Sequence, residues 1–155
     1  MTAHCADPAP EISARRDWMG LLARAPADRL AAHFATLGDV PAFSWLRRPE
    51  TGGVMVRGRA GGTGAPFNVG EMTVTRCALR LADGTVGHAY VQGRDKAHAE
   101  RAALVDALMQ TEAAPRIEAS VLRPLADEAV AARTARAARA AATRVEFFTM
   151  VRGED

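Results

Sequence analysis

The sequence predicts an α+β fold: a small antiparallel meander sheet of three to four strands, an N-terminal helical hairpin, a helix packed on the sheet, and a C-terminal helix with a docked tail. Two changes of period and one turn signal carry that expectation. Apolar residues recur at helical spacing up to Gly38, alternate between Ala42 and Gln92, and return to helical spacing after Asp95. Within the alternating region, Asp83-Gly84 separates two strand-like runs and is a strong hairpin signal.

Residues 1–12 are expected to form a disordered tail, since Met1 to Pro10 shows no periodicity, and 13–155 to form a single domain. Ser13 can cap a first helix, in which Trp18, Leu21, Leu22 and Ala25 share one face. Pro26 suits the first turn of a second helix carrying Leu30, Phe34 and Leu37, and Gly38 suits its end. Ala42 to Arg47 is expected as a short strand, with Pro49 and Gly52-Gly53 turning the chain into another strand, Val54 to Ala60. Gly61 to Pro66 is a glycine-rich connection, followed by one long strand within Phe67–Leu81 and its return over Thr85–Gln92.

The stretch from Gly93 to Met109 organises the chain. Asp95 can cap a helix whose Ala97, Leu104, Val105 and Leu108 define an apolar stripe. His98 lies at the edge of that stripe and Arg101 in its middle. Desolvating an unpaired charge costs several kcal/mol, on the order of a domain's whole stability margin. Arg101 therefore either meets a carboxylate inside the fold or faces another protein. Beyond Gln110 the pattern weakens. Ile117 to Leu122 is expected as a short extended segment, and Asp127 to Thr143 as a last helix with an Ala131, Ala135, Ala138, Ala142 stripe opposite Arg133, Arg136 and Arg144. From about Val145 the chain is unusually apolar for a terminus, with Phe147, Phe148, Met150 and Val151. His98, Arg101, Phe147, Phe148, Met150 and Arg152 are the candidate subunit-interface residues.

Composition excludes several classes. The chain has 155 residues, of which 48% are hydrophobic but only 5% aromatic, so an alanine-rich core buries little area per residue and favours a partner surface. Twenty Lys+Arg against eighteen Asp+Glu give a net charge of +2, too weak to imply nucleic acid or an anionic membrane. Two cysteines, Cys5 and Cys77, do not make a disulfide framework and fit a reducing cytosol. No apolar run approaches the ~20 residues of a membrane span, and the start of the chain lacks a signal-peptide pattern. A cytoplasmic location is expected.

No catalytic centre can be assembled from the residues. Gly61-Gly62-Thr63-Gly64 lies between strands, whereas phosphate loops open a helix and end in Lys-Ser/Thr. Arg57, Arg59, Arg94 and Lys96 are candidate anion-binding residues, or else ordinary solvated or ion-paired cations. His88, His98, Glu100 and Cys77 lack the spacing of a zinc motif, so no metal is expected.

Four stretches together carry a resemblance. They are Arg59 to Gly64 with Phe67, Thr73 to Leu81 with Asp83-Gly84-Thr85, Gly93 to Lys96 with His98 to Arg101 and Asp106 to Leu108, and Phe147 to Gly153. In this order, from about Trp18 to Gly153, the chain resembles the G subunits of the carbon–phosphorus lyase core complex. The resemblance implies a cytoplasmic hetero-oligomer with I, H and J subunits that degrades phosphonates. In that pathway the I subunit, with G and H and an ATP-binding-cassette-like partner, joins methylphosphonate to the ribose of ATP and releases adenine. ATP and methylphosphonate are then substrates of the assembly, and this chain carries no cofactor of its own. The family assigns no catalytic residue to the G subunit, so the resemblance implies a required, non-catalytic subunit. The alternatives are a subunit that lends an anion-binding surface to a shared active site, or a free-standing small-molecule binding domain.

Overall fold

The computed structural model describes residues 10–143. The expected tail from Val145, with Phe147, Phe148, Met150 and Arg152, lies outside them, as do residues 1–9. Helices α1 (Pro10–Arg24) and α2 (Ala27–Ala35) form the N-terminal hairpin. Strands β1 (Phe43–Arg59), β2 (Pro66–Leu81) and β3 (Val86–Gln92) follow, then α3 (Lys96–Leu108), the short α4 (Ala114–Ile117) and the long α5 (Arg123–Ala142). The sheet is an antiparallel meander in the order β1-β2-β3. The α+β expectation is met, with three strands.

Asp95 caps α3 as the sequence predicts, its Oδ1 accepting from the His98 amide at 2.9 Å. This helix is the middle layer. Cys77, Leu79 and Leu81 of β2 and Ala89 and Val91 of β3 share a core with Ala99, Ala103 and Ala107 of α3. From the other side come Leu22, Leu30, Leu37, Ile117, Val121, Leu122 and Leu125. Small residues let the main chains approach closely. A Cβ built on Gly87 would lie 2.0 Å from the Ala103 carbonyl oxygen and 2.8 Å from the Ala107 Cβ.

Four sequence expectations are corrected. The chain does not turn at Pro49 or Gly52-Gly53. Phe43 to Arg59 is one 17-residue strand, and the register shift between Arg47 and Glu50 leaves Arg48 and Pro49 out of the pairing. Pro49 is tolerated there because β1 is an edge strand and the irregularity spares its missing N–H from the ladder. Ile117 to Leu122 is helical, not extended: a π-helical turn over Glu118–Leu122 joins α4 to α5. The wider turn just before Pro124 accommodates a residue that has no N–H to donate. The last helix accordingly starts at Arg123, not Asp127. The first starts at Pro10, so Ser13 lies within it.

The stripe on α3 also differs. Ala97 is exposed and Arg101 half-buried, while the buried residues run without interruption from Ala102 to Leu108. A helix enclosed by neighbours on several sides does not bury a single stripe.

Candidate interaction surfaces

The charge inside the fold is Asp106, not Arg101. Its side chain is fully buried, and four donors converge on it. Oδ1 accepts from Arg15 Nε at 3.1 Å and from the Trp18 indole Nε1 at 2.9 Å. Oδ2 accepts from Arg15 Nη2 at 2.7 Å and from the His88 backbone N–H at 2.9 Å. Arg15 Nη2 and the Gln110 amide also donate to the Val86 carbonyl, at 3.3 Å and 3.0 Å. Val86 and His88 lie on β3, an outer strand, so this group ties α1 and α3 to a sheet edge that would otherwise be open. Every acceptor position the carboxylate uses is taken by a structural donor. The sequence signal for it was a lone aspartate within Leu104 to Leu108.

His98 is only 4% exposed, and its Nε2 lies 2.9 Å from the Leu22 carbonyl oxygen. Its side chain thus links α3 to α1 and is not available at the surface as an interface residue. Arg101 makes no ion pair among the described residues. Cys77 is buried and its thiol donates to the Ala99 carbonyl at 3.2 Å; burial pushes it up to about 12. Among the described residues, no group of three or more His, Cys, Asp or Glu side chains could hold a metal ion.

The four cations proposed for an anion site fall in two places. β3 stops pairing with β2 at Val74, but β1 and β2 remain paired from Gly53–Thr73 out to Arg59–Pro66. They make a two-stranded ribbon reaching roughly 20 Å beyond the third strand, at ~3.3 Å per residue. Arg57 and Arg59 stand near its tip, where with Gly58, Gly62 and Pro66 they line one open concavity of about 600 Å³. Arg59 donates to the Gly64 carbonyl at 2.9 Å, across a turn in which Gly61 and Gly62 adopt φ of +58° and +80°. Arg94 and Lys96 are at the other end, beside the ribbon's base, where the Gly93 amide donates to the Thr73 carbonyl at 2.9 Å.

A second cationic region was not singled out from the sequence. Arg24, Arg133 and Arg136 line a cleft of about 340 Å³ between α1 and α5, together with Leu21, Leu125 and Glu128. Glu128 is taken up by Arg29 and by His33 Nε2, the latter at 3.0 Å. Those hydrogen bonds hold its carboxyl down to about 2. They clasp α5 to α2. Beyond Val130 the rest of α5 is exposed, the Ala131, Ala135, Ala138 and Ala142 stripe included.

A family model described as phosphonate metabolism protein PhnG matches residues 13–153. The chain belongs to that family. It is 49% identical over 149 residues, covering 93% of this chain and 92% of the relative, to the alpha-D-ribose 1-methylphosphonate 5-triphosphate synthase subunit PhnG of Rhizobium meliloti (strain 1021). The resemblance read from the four stretches is thereby borne out, and three of those stretches have a place in the fold. They make the ribbon turn with the β2–β3 hairpin, the capped start of α3, and the Asp106 group. Among the described residues, no helix is long and apolar enough to cross a membrane.

Proposed function

We propose that this chain is a required, non-catalytic subunit of a cytoplasmic ribose 1-methylphosphonate 5-triphosphate synthase, part of a carbon–phosphorus lyase core complex. Its principal partner in this reading is the I subunit, with H and J subunits in the same hetero-oligomer. ATP and methylphosphonate are substrates of the assembly, and this chain holds no cofactor. One observation supports it beyond family membership: where polar and apolar groups are spent. The buried carboxylate is fully occupied in joining elements, while Leu46, Met55, Val56, Phe67 and Val69 are left exposed on β1 and β2. Buried structural ion pairs and exposed apolar sheet are the economy of an interaction module.

Omitting the chain from a reconstituted assembly should abolish adenine release from ATP and methylphosphonate, and adding it back should restore activity. Full activity of an assembly that lacks it would overturn the proposal. The Arg57 and Arg59 concavity favours a second reading, an anion-binding contribution to a shared site. In that case truncating both residues leaves assembly intact and raises the apparent KM for ATP. If assembly fails instead, the arginines are interfacial.

A further inference from the structure

The ribbon formed by β1 and β2 is amphipathic. Residues paired across antiparallel strands share a face. Met55 pairs with Glu71, Arg57 with Asn68 and Arg59 with Pro66, which gathers the charges on one side. Val54 pairs with Met72, Val56 with Gly70 and Gly58 with Phe67, which makes the other side wholly apolar. Val69, unpaired at the irregularity between Val56 and Arg57, leans over Gly58, since a Cβ added there would meet its Cγ2 at 2.6 Å. Down the sheet the same side turns polar, with Arg76 paired to Tyr90 and bridged to Glu50 beside a cleft of about 300 Å³. α3 covers the opposite face of the sheet, and no described residue covers the ribbon's apolar side: Val56, Phe67 and Val69 are 39%, 49% and 61% exposed.

A two-stranded hairpin without a core is at best marginally stable in water. This one carries its largest apolar residues outward and is held only at its base. Between Gly53 and Thr73 its ionisable side chains are Arg57 and Arg59 towards the tip and Glu71 at the base, so its outer part presents an apolar strip backed by positive charge. Resting on the subunit reading above, we infer that this ribbon docks, apolar face down, in an apolar groove of a sister subunit of the synthase, a groove deep enough that acidic side chains on its rim reach Arg57 and Arg59 on the ribbon's outward side.

The test uses the full-length chain co-expressed with the other core subunits, read by native mass spectrometry and by titration into the assembly that lacks it. Val56→Asp with Phe67→Asp changes side chains that lie on the ribbon's open face, away from the core. The free chain should therefore keep its circular dichroism and melting temperature, while its affinity for the assembly falls by roughly 100-fold or more. Arg57→Glu with Arg59→Glu should weaken assembly by about tenfold, less so at high salt. If both double variants assemble like wild type, the ribbon is not the docking surface, although the subunit reading survives. If the wild-type chain itself fails to join the other subunits, that reading falls. Two further results overturn the inference. One is loss of self-association of the free chain with unchanged co-assembly, which assigns the face to a second copy. The other is unchanged co-assembly with a raised KM for ATP in the arginine variant, which assigns the arginines to an anionic ligand.

Discussion

Replacing Asp106 by Asn keeps the shape of the side chain and removes its charge and half of its acceptors. In the native chain each carboxylate oxygen accepts two hydrogen bonds: Oδ1 from Arg15 and Trp18, Oδ2 from Arg15 and the His88 amide. An amide can serve one of these pairs with its oxygen, but its NH2 group then points at the two donors of the other pair. A buried donor left without a partner costs about 1–3 kcal/mol. The Arg15 side chain is 33% exposed and long enough to turn partly to water, so its loss counts for less than that of the Trp18 indole and the His88 backbone N–H, which are held in place by their own elements. We expect a destabilisation of about 2–4 kcal/mol. In a chain of this size that is a fall in melting temperature of roughly 5–15 °C. Urea unfolding of the isolated chain, followed by circular dichroism and tryptophan fluorescence, would measure it. The slope with denaturant should be unchanged and the midpoint lowered. Arg15→Met, alone and combined with Asp106→Asn, closes a double-mutant cycle whose coupling should be about 1–3 kcal/mol. A shift below about 0.5 kcal/mol for Asp106→Asn, or additivity in the cycle, would refute the assignment of Asp106 as the polar centre of the fold.

Gly87→Ala should destabilise by about 3 kcal/mol, because the new methyl would overlap the Ala103 carbonyl where α3 meets β3; a neutral outcome in thermal melts would mean that the helix can slide. Glu128→Gln probes the clasp on α5. The folded carboxyl titrates at about 2 rather than its usual 4.5, so its contribution is complete above about 4.5 and disappears as pH falls through about 2. Wild-type and variant melting temperatures should therefore differ at pH 7 and converge near pH 2, and a pH-independent difference would contradict the clasp. Cys77 should resist a thiol reagent at pH 8 in the native chain and react on unfolding, which a Cys5→Ser background makes directly countable.

Much of the architecture was written locally. The Asp83-Gly84 hairpin, the Asp95 cap and the two apolar faces of the N-terminal hairpin depend on residues within a few positions of each other, and they emerge as the sequence implies. The family was legible too, because four motifs keep their order along the chain. What only the tertiary structure decided is whatever depends on a distant neighbour. β1 runs through Pro49 and two glycines because the long β2 supplies a continuous template, and a local shift of register absorbs the proline. Ile117 to Leu122 is helical because Ile117, Val121, Leu122 and Leu125 bury together against the core, and a π-helical turn reconciles that with Pro124. The burial of Asp106 rather than Arg101 could not be read from α3 alone, since the arginine that neutralises Asp106 comes from α1, 91 residues earlier. Along one helix a fully buried charge and a half-buried one look alike. The partner across the fold decides which of them can give up its water.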